Sequence, residues 1–337
     1  MMNFFKILFF QTMVIGTLIT ISSYNWFTMW IGLEINLMSI IPLFKANQNI
    51  YPAEATIKYF ITQSLASTII LFSIILMMNT TEFLPQNYNY WIMMILNSAL
   101  LMKLGAAPFH VWFPEVAEGL NWMNNMILLT WQKLAPMILI MYNLNLNMFI
   151  SIIIILSSII SGILGINQIS LRKILAYSSI NHIAWMLASM LNFKMIWWLY
   201  FLIYSMISIN IIVIFKNLNI YYLPQLFLSF NSNKVIKLFF IMNFFSLGGL
   251  PPFLGFLPKW LVLNNLMENN FYALSMILII CTLITLYFYI RITFSILTIS
   301  MKETIFKQSK LNQFSLIIFN TINMFGIFIC SSIFLML

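Results

Sequence analysis

The sequence predicts an all-α polytopic membrane protein: about eleven transmembrane helices in two inverted five-helix repeats, each repeat holding one broken helix. Three observations carry this. Hydrophobic residues make up 62% of the 337 residues and charged residues only 7%, against roughly 25% charged in a soluble domain. Mean hydropathy is +0.96, and apolar runs of about 20 residues, the length that crosses a bilayer, follow one another with short connections. Basic residues, finally, alternate between successive loops.

The run 3–22 carries one lysine and reads as a first span. It lacks the Arg-rich amphipathic pattern of a mitochondrial presequence. Spans at 26–44 and 56–78 follow. The run 90–118 is too long for one straight crossing and is interrupted by Gly105 and Pro108. Continuous spans are expected at 122–142, 147–167, 172–191 and 195–215. The run 236–267 is again too long, interrupted by Gly248, Gly249, Pro251 and Pro252. Spans at 272–294 and 314–336 complete the set. Residues 1–145 then form the first repeat, 146–295 the second, and 296–337 a connecting segment with a C-terminal helix.

A short internal match supports the repeat. Pro108-Phe109-His110-Val111-Trp112-Phe113-Pro114-Glu115 aligns with Pro252-Phe253-Leu254-Gly255-Phe256-Leu257-Pro258-Lys259. Each has Pro-Phe, four residues, then Pro and an ionisable group. The two copies lie five spans apart, so their halves have opposite orientation. Broken helices at matching positions of two inverted halves point to a transporter site.

The charge pattern sets sidedness. Lys45, Lys58, Arg172, Lys173, Lys216, Lys234, Lys237, Lys302, Lys307 and Lys310 fall in even-numbered loops, Lys6 sits near the N-terminus, and the odd-numbered loops hold only Lys194. The N-terminus therefore faces the side of insertion, and an odd span count puts the C-terminus opposite. The formal charge of +9 is scattered between apolar runs, which argues against nucleic-acid binding. Cys281 and Cys330 are far apart and form no metal-ligand spacing, so no zinc or iron–sulfur site is expected.

Four ionisable residues lie deep in predicted spans: Glu34, Lys103, Lys133 and Lys259. Each charge at the bilayer centre costs roughly 2.5–3.5 kcal/mol, so such groups persist by pairing, by meeting water or by losing charge. A buried lysine can release a proton near neutral pH, and a nearby carboxylate holds the proton on. A Lys–Glu pair is thus a natural proton gate, which an always-charged arginine could not make. Lys103 precedes its break, at the negative end of a half-helix. Lys259 follows its break, where the positive end of the next half-helix opposes a cation. The plainer alternative for such lysines is snorkelling to the interface. His182, in a polar stretch of the seventh span, is a candidate relay, with a structural hydrogen bond as the alternative.

These residues carry a family resemblance. The stretches Trp30-Ile31-Gly32-Leu33-Glu34-Ile35-Asn36, Glu54-Ala55-Thr56-Ile57-Lys58-Tyr59-Phe60, Lys103-Leu104-Gly105-Ala106-Ala107-Pro108-Phe109-His110, Thr130-Trp131-Gln132-Lys133-Leu134-Ala135-Pro136 and Gly248-Gly249-Leu250-Pro251-Pro252-Phe253 resemble the antiporter-like membrane subunits of NADH:ubiquinone oxidoreductase, respiratory complex I, of animal mitochondria. The resemblance implies a place in the membrane arm, in the mitochondrial inner membrane, with the N-terminus on the matrix side and the C-terminus on the intermembrane side. It implies a proton path through Glu34, Lys103, Lys133 and Lys259. It implies other complex I subunits as partners, especially neighbouring antiporter-like ones, together with membrane lipid. No cofactor is expected in this chain, which has no G-x-G-x-x-G. NADH, FMN, iron–sulfur clusters and ubiquinone are expected in partner subunits. Two rival readings stay open: a stand-alone cation/proton antiporter, and a scaffold whose lysines serve only helix pairing.

Overall fold

The computed structural model describes residues 4–45, 50–81, 90–144, 146–229, 234–298 and 320–321. It divides into two compact units, Met1–Ile153 and Ile154–Leu337. Among the described residues the secondary structure is helical, apart from one isolated bridge between Ser170 and Tyr222. Six helices among the described residues are long and apolar enough to cross a membrane, and two shorter apolar ones are Tyr90–Leu104 and Lys237–Gly248.

The first unit opens with α1 (Phe4–Ser22), α2 (Trp26–Phe44) and α3 (Ile50–Thr81). The fourth predicted span is two helices, α4 (Tyr90–Leu104) and α5 (Trp112–Gly119), separated by an irregular stretch with a cis Ala107–Pro108 peptide. The chain continues through α6 (Trp122–Leu129) and α7 (Trp131–Tyr142) to α8 (Asn147–Ile166), which runs into the second unit. That unit holds α9 (Leu171–Met190), α10 (Lys194–Leu218), α11 (Leu223–Ser229), α12 (Lys234–Gly248), α13 (Phe256–Glu268) and α14 (Tyr272–Thr298). Apart from its first turn, α9 is buried all round, the mark of a helix enclosed by others. It carries polar Ser178, Ser179, Asn181 and His182 inward.

Two features differ from the expected spans. The run 122–142 is not continuous but breaks at Thr130. Pro136 has no N–H to give the Gln132 carbonyl, which weakens the start of α7. Thr130 meanwhile returns its hydroxyl to the Met126 carbonyl at 2.6 Å and leaves ordinary helical backbone, with φ −111° and ψ −72°. The connection between the expected spans 195–215 and 236–267 contains the short helix α11. The predicted span 314–336 lies outside the described residues except for Asn320 and Thr321.

Candidate functional site

The helix breaks come first, because they position the lysines. Helix α4 ends on Gly105 at φ +74°, a conformation glycine adopts without steric penalty. Gly105 N–H bonds to the Met102 carbonyl at 3.2 Å, and Ala106 N–H to the Leu101 carbonyl at 3.1 Å. This is a Schellman cap. Two side chains extend it. Trp112 Nε1 donates to the Met102 carbonyl at 3.1 Å, and Gln63 Nε2 to the Lys103 carbonyl at 3.2 Å. Carbonyls that would be bare inside a membrane are thereby satisfied.

Helix α12 ends the same way. Gly249 has φ +79°; its N–H bonds to the Ser246 carbonyl at 3.1 Å, and Leu250 N–H to the Phe245 carbonyl at 3.2 Å. Here the last carbonyls belong to the lysine. Lys259 Nζ, from the first turn of α13, reaches back to donate to Leu247 O at 3.2 Å and Gly248 O at 2.8 Å. Its Nζ also lies 5.9 Å from the centre of the Trp185 ring. The expectation that the start of α13 opposes the Lys259 charge is therefore corrected. The ammonium sits on the negative end of α12, where a cation is favoured.

All three lysines are buried, Lys103 to 7%, Lys133 to 1% and Lys259 to 7% exposure, and all three stand at helix interruptions. Lys103 is in the last turn of α4, Lys133 in the first turn of α7 and Lys259 in the first turn of α13. The break beside Lys133 escaped the sequence reading; Pro136 was its visible signal. Lys133 Nζ lies 6.0 Å from the centre of the Phe113 ring.

Lys103 makes no hydrogen bond through its ammonium among the described residues. It lines two small cavities instead, each with about 10 Å³ of space open to a water centre, room for one water molecule. One cavity is shared with Asn36 and Gln63. The other is shared with Lys133. Tyr59 and Gln132 line both. Among the described residues Glu34 and Lys103 form no direct ion pair. Glu34 lies on an open groove of about 350 Å³ with Phe9, Trp30 and Met38, and its buried Oε1 has no hydrogen-bond partner.

In the second unit His182 is buried, with Nδ1 2.8 Å from the Tyr200 hydroxyl and its ring 4.9 Å from that of Tyr204. Glu115, which aligns with Lys259 in the short internal sequence match, lies toward the surface in the first turn of α5 and pairs with Lys58 at 3.0 Å; Lys58 also meets Glu54 at 3.0 Å. Among the described residues no cluster of three metal-ligating side chains occurs.

Helix interruptions in a polytopic fold, here with buried lysines beside them, fit a transporter-like membrane protein. The sequence matches the model of the NADH:quinone oxidoreductase/Mrp antiporter transmembrane family over residues 23–285. It is 47% identical to NADH-ubiquinone oxidoreductase chain 2 of Anopheles gambiae over 98% of both chains, and 48% identical to that of Aedes aegypti, again over 98% of both. The chain belongs to the NADH-ubiquinone oxidoreductase chain 2 family. Its fold superposes on a chain of respiratory complex I from Thermus thermophilus with a TM-score of 0.85 at 19% identity, covering 96% of this chain and 78% of the other. A chain of the Mrp complex from Dietzia gives a TM-score of 0.75 at 14% identity, covering 89% and 61%.

Proposed function

We propose that this chain translocates protons as an antiporter-like subunit of the membrane arm of NADH:ubiquinone oxidoreductase, with Glu34, Lys103, Lys133 and Lys259 carrying the protons. The observation that carries this reading is the single-water cavity that touches both Lys103 and Lys133. Two buried lysines facing one water can exchange a proton through it, since each ammonium donates and each neutral amine accepts. Glu34 and Lys103 form the switch. Lys259 serves the second unit, and His182 is its candidate relay. Oxidation of NADH and reduction of ubiquinone take place in other subunits, which hold the FMN and iron–sulfur clusters.

The protein is a multi-pass component of the mitochondrial inner membrane, and its partners are the other complex I subunits. We place the N-terminus on the matrix side, supported by the basic residues of the even-numbered loops, and the C-terminus on the intermembrane side. The names of the relatives favour a complex subunit over a stand-alone antiporter.

The test is Lys133→Met in the assembled complex. A native gel reports assembly, and reconstituted vesicles report NADH-driven proton pumping. Normal assembly with pumping lowered by about a hundredfold, the low end for loss of a proton-transferring group, is expected. Failed assembly with normal pumping per assembled particle would assign the lysines to helix pairing alone.

A further inference from the structure

Beside the cavity that Lys103 and Lys133 share lies a hydrogen-bonded chain of neutral side chains. Tyr59 Oη donates to Gln132 Oε1 at 3.3 Å, and Gln132 Nε2 donates to Asn36 Oδ1 at 3.0 Å. Tyr59 is 3% exposed and Asn36 4%. Tyr59 is clamped edge-on by Phe44 and Trp112, at ring separations of 5.3 and 5.8 Å. Gln132 comes from the first turn of α7, adjoining Lys133 and the Thr130 break.

Gln132, Tyr59 and Lys103 line both water-sized cavities. Gln132 gives that shared lining a defined polarity. A carboxamide offers one acceptor oxygen with two lone pairs and two N–H donors. The Tyr59 bond engages the oxygen and the Asn36 bond engages one N–H. One N–H and one lone pair are left for water in the cavities. A neutral amide does not accept a net proton near neutral pH. It can only orient the water that does the carrying.

We infer that Gln132, held by Tyr59 and Asn36, is a positioning residue that orients the water relay between Lys103 and Lys133. The inference rests on the proposed proton-translocating function. Rotation of this one amide breaks both of its bonds together, so the relay is held in one arrangement or lost as a unit. Tyr59 contributes as one of the two anchors, and Asn36 as the other.

The experiment uses the full chain in the assembled complex, with Gln132→Met, Tyr59→Phe and Lys133→Met studied side by side. Pumping in vesicles is measured in H₂O and in D₂O. Gln132→Met keeps length and bulk and deletes only the amide. Its expected result is normal assembly, pumping slowed about tenfold as a misplaced relay loses its alignment, and a larger H₂O/D₂O rate ratio than the parent complex. A residue that merely packs would leave that ratio unchanged. Tyr59→Phe, which removes one hydroxyl, moves both quantities the same way by less. Gln132→Met with parental rate and ratio overturns the inference. If Gln132→Met does not assemble, Tyr59→Phe decides, and a parental ratio there overturns it equally. Parental pumping in Lys133→Met sinks the functional reading itself, whereas a dead Lys133→Met beside an unaffected Gln132→Met sinks only the role of Gln132.

Discussion

The two helix breaks share one cap and differ in who completes it. In the first unit, neutral side chains cover the last carbonyls of α4, Trp112 on Met102 and Gln63 on Lys103. Lys103 is thereby left to its cavities. In the second unit Lys259 is itself the cap, bonded to Leu247 and Gly248. The difference separates two jobs that a buried lysine can do. Lys103 is relieved of structural work and can gain or lose its proton with little consequence for the backbone. Lys259 spends two of its N–H donors on backbone carbonyls, so displacing its side chain would uncover both of them inside the membrane.

The largest effect that follows is on Lys259. Lys259→Met strips two buried carbonyls of their donor, at about 1–3 kcal/mol each. It should lower both the yield of assembled complex on native gels and the pumping per particle. Lys103→Met uncovers no carbonyl and should lower pumping alone. Equal losses of assembly in the two variants would erase the distinction.

Next come the glycines. Ala at either position meets a left-handed backbone that disfavours a side chain by about 1 kcal/mol. The surroundings differ. A Cβ at Gly105 would press on Phe113, with its Cβ at 3.0 Å, whereas one at Gly249 would press on Lys259, with Cδ at 2.8 Å and Nζ at 3.0 Å. Both variants should lose similar thermal stability, read as the midpoint of subunit release on heating. Gly249→Ala should also lose pumping, because it displaces the ammonium from its carbonyls. Equal pumping in the two would show that the Lys259 contacts are dispensable.

Much of this was legible in the sequence, for physical reasons. Gly105 and Gly249, each followed by Pro-Phe within a few residues in a run too long for one straight crossing, announced the breaks. The lysines declared themselves by their cost in an apolar run. What stayed hidden depended on contacts distant in the chain. Gln63 and Trp112 as caps come from different helices, and no local pattern marks them. The Thr130 break goes with a proline six residues downstream, inside a run expected to be one continuous span. The reach of Lys259 back to α12 reversed the dipole argument, because a long flexible side chain places its charge away from its own backbone.

The smallest effect is expected at Lys58. It joins Glu115, which the short sequence match aligns with Lys259, to Glu54, and all three side chains are substantially open, at 43%, 48% and 61% exposure. Exposed ion pairs gain little, because water and salt screen the charges and ordering long side chains opposes the gain. The two positions aligned by the short sequence match thus hold a buried carbonyl cap in one unit and an open ion pair in the other. Lys58→Ala should leave assembly and pumping at the parental level, with any shift in thermal release vanishing as salt is raised. Loss of pumping in Lys58→Ala that persists at high salt would mean that Glu115 does more than pair, and that the two breaks are closer in role than their contacts indicate.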